Sequence, residues 1–255
     1  MAPPDTISAA IRGAVQRGGP ALVGFLTAGF PSRARFQENL AAVADACEVV
    51  EIGVPFTDPM ADGTTVQRAS FAALADGVTL PWILDEIANA PERRAVPILL
   101  MSYLNPLLSF GFERLAREAA GAGVAGFIVP DLPFEESEEL KRGLAGKGLA
   151  LVQMVSPVTP EERLARLCSA AEGFVYAVTM TGTTGKSVAV PDEVIEYMDR
   201  VKRLSPIPVC AGFGIRSREQ VRRLGVHVDG VVIGSALIEA LERGEDVGAF
   251  LKSLR

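Results

Sequence analysis

The sequence predicts an α/β fold, a single (β/α)8 TIM barrel spanning residues 1–255 with an N-terminal helix closing the barrel bottom. Three observations predict it. Eight short runs rich in β-branched residues each end in Gly, Pro, Asp or Thr and lead into a segment of helical periodicity, the signature of repeated βα units. Several of these runs, such as 96–101 and 230–233, are apolar on successive residues, as parallel strands covered on both faces must be. The chain's 255 residues match the length that such a barrel takes as one unit, and no Gly/Ser-rich linker divides them. An open doubly wound sheet uses the same alternation and is the main rival, but eight units favour closure.

In chain order, Ile11, Arg12 and Val15 belong to an amphipathic segment placed to cover the apolar N-terminal mouth. Strands are expected at 21–26, 48–54, 96–102, 126–129, 150–155, 173–178, 208–211 and 230–233. Ser32 precedes one helix, Thr159-Pro160-Glu161-Glu162 opens another, and Ser217 with Glu219 begins a third. Gly121 and Gly123, then Gly146 and Gly148, stand where a helix must turn back towards the next strand. The longest gap between strands, 55–95, itself has helical segments around 66–74 and 81–90. It is therefore a decorated connection within the barrel.

Composition narrows the function. Apolar residues make up 49% and charged residues 22%, enough for a large core under a polar surface. The formal charge is −6 with the basic residues dispersed, so the electrostatic footprint of a nucleic-acid binder is missing. Asp5 and Arg12 interrupt the start of the chain, and no apolar run approaches the ~18 residues of a membrane span; the expected location is cytoplasmic. Cys47, Cys168 and Cys210 are far apart and form no CxxC pair, so they are expected as small buried hydrophobes.

In such a barrel the chemistry lies at the carboxyl ends of the strands. The second unit is the richest, running from Glu51 through Asp58 and Asp62 to Gly63. Glu51 stands inside the apolar stretch Val49-Val50-Glu51-Ile52-Gly53-Val54, where a carboxylate is costly to bury. Two readings stay open: an acid whose pKa desolvation raises until it exchanges protons near neutrality, or a buried ion pair. Asp62, eleven positions on in a Pro-bounded loop, either reaches the same ligand or closes its loop as an Asx turn. Asp58, beside Pro59, favours a turn or partner contact over catalysis.

A second constellation comes late. Gly182-Thr183-Thr184-Gly185-Lys186-Ser187 follows the sixth strand, Gly212-Phe213-Gly214 ends the seventh and Gly234-Ser235-Ala236 the eighth. Each glycine alone permits a tight turn, but the set favours an anion site, with a helix starting near Ser235 pointing its positive end at the ligand. Walker spacing fails because Met180 occupies the first glycine position, and Gly212–Ser217 has serine at the third glycine of a dinucleotide fingerprint. His227, the one histidine, precedes the last strand and is placed at the non-catalytic end. Glu51 and Asp62 without a third convergent acid make a weak metal site, so no metal is expected.

Taken together, 51–63, Phe25-Leu26-Thr27-Ala28-Gly29-Phe30-Pro31, 129–137, Gly212-Phe213-Gly214-Ile215 and Gly234-Ser235-Ala236 resemble the tryptophan synthase α subunit family, with the match running from about 22 to 237. The resemblance implies reversible aldol cleavage of indole-3-glycerol phosphate to indole and glyceraldehyde 3-phosphate. It implies Glu51 as proton shuttle and Asp62 as the group that binds the indole N–H and stabilises ring charge. Tyr103 and Tyr176 would line the substrate pocket among apolar Phe25, Met101, Ile128 and Phe213, and Thr184 would meet the catalytic aspartate. Gly185, Gly214, Gly234 and Ser235 would hold the phosphate. The chain departs from the family where Met101 and Ile128 replace a commoner leucine, Met180 a frequent arginine and Thr183 a common valine. The implied partner is a β subunit in an α2β2 heterotetramer, with Asp58 and Pro59 near the contact; pyridoxal phosphate is expected only there, and no cofactor in this chain. The alternatives are a free-standing indole-3-glycerol phosphate lyase, a catalytically inactive regulatory subunit, and another sugar-phosphate barrel such as an epimerase. Retention of both carboxylates argues against the second, and the 51–63 match against the third.

Overall fold

The computed structural model describes residues 3–90, 96–179, 190–212 and 214–255. Eight parallel strands close into one barrel, each paired with the next and β8 with β1. They are β1 (Ala21–Thr27), β2 (Val49–Gly53), β3 (Ile98–Met101), β4 (Val124–Ile128), β5 (Ala150–Val155), β6 (Val175–Val178), β7 (Val209–Gly212) and β8 (Gly230–Ile233). The helices among the described residues are α1 (Pro3–Gln16), α2 (Phe36–Ala46), α3 (Thr64–Ala75), α4 (Leu80–Asn89), α5 (Leu104–Phe110), α6 (Phe112–Ala122), α7 (Glu138–Ala145), α8 (Glu161–Ala170), α9 (Asp192–Leu204), α10 (Arg218–Gly225), α11 (Ser235–Glu242) and α12 (Val247–Ser253). The open-sheet rival is thereby removed. None of these helices is long and apolar enough to cross a membrane.

All eight expected strands form, with shifted ends that have local causes. Pro97 has no N–H to donate, and β3 begins after it. Gly173 turns with φ 76°, so β6 starts two residues later, at Val175. β4 starts earlier than expected because left-handed Gly123, φ 93°, ends α6 at once and Val124 already pairs with Ile98. The helix starts also fall near their expected places, but the cap chemistry differs. Ser32 makes no capping hydrogen bond and leads into a 3-10 turn, Arg33–Arg35, before α2. The Thr159 hydroxyl accepts from the Ser156 N–H, not from α8. Ser217 does cap α10, but its capping-box partner is Gln220, three residues on, not Glu219.

Strand register decides which side chains enter the barrel. Paired residues of parallel strands point to the same face, and the faces alternate along each strand. From Phe25↔Glu51 and Thr27↔Gly53 the inward set passes to Leu99 and Met101. It continues through Gly126 and Ile128, Met154 and Tyr176, then Cys210 and Gly212. The opposite faces, with Val50, Ile52 and Leu100, are buried under helices. The bottom is closed by α1, which packs against β1, β2 and β4 and buries Ile7 and Ile11 completely. Ser8 Oγ donates to the Gly173 carbonyl at 2.5 Å, fastening the plug to the turn before β6. His227 lies beside that end, its Nδ1 2.7 Å from Asp199 Oδ1. Cys47, Cys168 and Cys210 are buried.

Candidate active site

Glu51 occupies the middle of β2 and points inward with no solvent exposure. Neither carboxyl oxygen has a hydrogen-bond partner, which removes the ion-pair reading of this residue. Desolvation first, and the nearby Asp62 charge second, push its pKa up to about 8. The side chain is therefore protonated at neutral pH and becomes a base a little above it.

Asp62 arrives from the loop between β2 and α3, and that loop is tied down. The Asp62 N–H donates to the Pro59 carbonyl at 3.1 Å. Gln67, in the first turns of α3, donates to the Asp62 carbonyl at 2.9 Å and to the Pro59 carbonyl at 3.3 Å. Tyr103, just after β3, stacks on Phe56 with ring centroids 5.3 Å apart. Its hydroxyl accepts from the Ala61 N–H at 2.9 Å and donates to the Asp62 carboxylate. Asp62 thus spends its side chain on Tyr103 and not on an Asx turn. Burial raises its pKa to about 6, with the Tyr103 hydrogen bond pulling the other way. Two acids with different protonation states consequently face one space at pH 7, the separation of roles that acid–base chemistry requires.

That space is an inner pocket of about 40 Å³ lined by Glu51, Asp62, Phe25, Met101, Tyr176, Gly214, Gly234 and Ser235, together with Val66 and Val232. Asp62 also lines an adjoining cleft of about 690 Å³, bounded by the segment after β4 and by β5. A cleft of that size suits a small-molecule ligand. On the side formed by β7 and β8, Gly214 adopts φ 81° and Ser235 begins α11, so that helix's first amides face the pocket.

The structure brings most of the expected residues together. Tyr103 stands behind Asp62, while Ile128 is fully buried opposite Met101 and its neighbour Val129 lines the larger cleft. Thr184, Gly185 and Phe213, with Met180 and Thr183, lie outside the described residues. Asp58 is exposed, accepting from Thr57 Oγ1 at 2.6 Å, and Pro59 beside it is buried. The described residues hold no group of three His, Cys, Asp or Glu placed to bind a metal ion.

Two pocket positions escaped the sequence reading, and a third has a duty it did not assign. Val232 is the inward residue two before Gly234, a period-2 signal that was available. Val66 depended on how α3 docks. Gly212, read with the anion loops, has another duty: a Cβ there would stand 2.3–2.5 Å from the Tyr176 ring, so its missing side chain makes room for that ring.

A family profile described as tryptophan synthase alpha chain matches residues 11–251. The tryptophan synthase alpha chain of Nitratidesulfovibrio vulgaris is 45% identical over 244 residues, 95% of each chain, and that of Solidesulfovibrio magneticus 45% over 243 residues, again 95% of each. Among solved structures, a chain of Mycobacterium tuberculosis tryptophan synthase superposes with TM-score 0.88 at 32% identity, covering 98% of this chain and 97% of that one. The tryptophan synthase subunit alpha of Legionella pneumophila gives 0.87 at 30% identity, covering 100% and 97%.

Proposed function

The chain belongs to the tryptophan synthase alpha chain family, and from that premise we propose that it is a carbon–carbon lyase cleaving indole-3-glycerol phosphate reversibly to indole and glyceraldehyde 3-phosphate. The observation that carries this reading is the meeting of an unpartnered, protonated Glu51 and a carboxylate at Asp62 in one pocket walled by Phe25, Met101 and Tyr176. Glu51 delivers its proton to indole C3, making the ring an indoleninium cation. Asp62 accepts a hydrogen bond from the ring N–H and stabilises that cation, which forms beside it in a desolvated setting. The Glu51 carboxylate then takes the proton of the glycerol hydroxyl next to the ring. As the aldehyde C=O forms, the C–C bond breaks and its electron pair returns to the ring, restoring neutral indole and protonated Glu51. The phosphate sits against Gly214, Gly234 and Ser235, in the position that α11's positive end favours; the family resemblance adds Gly185 to that set and assigns Thr184 to the catalytic aspartate.

We read the chain as one cytoplasmic domain without a cofactor of its own. It hands indole to a β subunit in an α2β2 assembly, across a surface that includes Asp58 and Pro59, and pyridoxal phosphate serves in that partner. The test is an indole-release assay with indole-3-glycerol phosphate, with and without an added β subunit. Glu51→Gln is expected to lower kcat by about 10²–10⁴. Asp62→Asn should lower it by about 10²–10³. Wild-type turnover in either variant removes that residue from its role.

A further inference from the structure

Beside Asp62 a second void of about 10 Å³ adjoins the ligand pocket, sharing Phe25, Asp62, Val66 and Met101 with it. Thr27, at the end of β1, lines it, as do Asp62, Ser70 of α3 and Ser102. A void of about this size, measured as room for a water's centre, holds one water when polar groups surround it. These walls are polar in the required way. Thr27 is 1% exposed, yet its Oγ1 has no hydrogen-bond partner. A buried hydroxyl left in that condition is rare unless an ordered water serves it. Ser70 is 4% exposed on the same wall, while Ser102 Oγ is already committed to the Tyr103 carbonyl at 3.0 Å.

We propose that this void binds one ordered water held by Thr27 Oγ1, Ser70 Oγ and the Asp62 carboxylate, making Thr27 a positioning residue for Asp62. A carboxylate has about four acceptor sites. The Tyr103 hydroxyl fills one of Asp62's, and a single hydrogen bond leaves the group free to swivel. A water donating from the opposite side fixes its plane and leaves one oxygen turned to the pocket. Thr27 enters this arrangement because it is in register with inward-facing Gly53 and lines the void together with it and Asp62. The inference rests on reading Asp62 as the residue that steadies the ring cation, and its test separates the two.

Two measurements on the full-length, ligand-free chain decide it. A high-resolution crystal structure is expected to show a water within hydrogen-bond distance of Thr27 Oγ1 and the Asp62 carboxylate; a void empty of density overturns the proposal. Titration of Asp62 by ¹³C NMR, with aspartate labelled and the signal assigned by its loss in Asp62→Asn, gives the second. Glu51 from β2, Tyr103 after β3 and Tyr176 from β6 are the titratable groups that act on Asp62, and none carries the aspartate label. Thr27→Val keeps the shape and deletes the hydroxyl. It should raise the Asp62 pKa by about one unit, a tenfold change in ionisation constant, and lower kcat about tenfold with KM within about twofold. Thr27→Ser should restore both the Asp62 pKa and kcat. An unmoved Asp62 titration in Thr27→Val, or failure of Thr27→Ser to restore it, overturns the water site whatever Asp62→Asn does. Full cleavage by Asp62→Asn alongside a shifted titration in Thr27→Val would instead sink the catalytic reading and leave the water site standing.

Discussion

Glu48, just ahead of β2, and Glu51, in its middle, lie three positions apart, and their surroundings could hardly differ more. Glu48, at the bottom, accepts from the Leu22 N–H and from Arg17 and Arg255, all at 2.9 Å. Two other acids there repeat the pattern. Glu172 accepts from the Leu151 N–H at 2.8 Å, and Asp229 accepts from the Val209 N–H at 2.8 Å while pairing with Lys202. Each sits ahead of one strand and satisfies an amide in the first two residues of a neighbouring strand that would otherwise be orphaned. At the top, Glu51 has no partner and Asp62 is held by Tyr103. The bottom of the barrel spends its carboxylates on holding strands together. The top keeps its carboxylates available at a cost in stability, as functional sites commonly do.

This contrast can be broken at either end. The largest effect is expected from Glu51→Gln on stability. Burial raises the folded pKa of Glu51 from 4.5 to about 8, so its contribution is intact below about pH 4.5 and is lost as pH rises towards 8, where the unfolded chain ionises and the folded one resists. At about 1.4 kcal/mol per pH unit, the amide should make the protein more stable by as much as about 4 kcal/mol at pH 8, and by little at pH 4.5. Urea unfolding at the two pH values checks this; a variant no more stable than wild type at pH 8 would remove the strain assigned to the top. Glu48→Ala should act in the opposite direction, costing about 2–3 kcal/mol by orphaning the Leu22 amide and two guanidinium groups, with indole release unchanged.

Gly212→Ala probes the top by packing instead of charge. The added methyl overlaps the Tyr176 ring, so a loss of about 1–3 kcal/mol is expected, together with weaker binding of the substrate measured by calorimetry on an inactive Glu51→Gln background. The smallest effect sharpens the comparison from outside it. Ser217→Ala removes the cap of α10, near the top but away from the pocket, and should cost about 1 kcal/mol in thermal unfolding without altering kcat. A catalytic defect there would mean that the top end cannot be divided into structural and chemical parts as cleanly as the two acids suggest.

How much of this was legible beforehand follows the range of the interactions. Strand order, closure and the plug helix were readable because each βα unit announces itself in a dozen or so neighbouring residues. Glu51 stood out because an acid in an apolar run is conspicuous without any partner being known. Ion pair or proton donor, however, could not be decided until the space around it was seen. Gln220 displaced Glu219 as the partner of Ser217 because side-chain reach at a helix start is a matter of one residue.

The sequence by itself therefore determined the barrel, its sense and the strand that carries the buried acid, since periodicity and turn chemistry are local properties of the chain. Only the tertiary structure decided that Asp62 leans on Tyr103, that Gly212 yields its space to Tyr176, and that Thr27 is left facing a void beside a carboxylate. These pairs lie 41, 36 and 35 positions apart in the chain by subtraction of their residue numbers. Strand register and helix docking bring them together, and no short window of sequence contains both members.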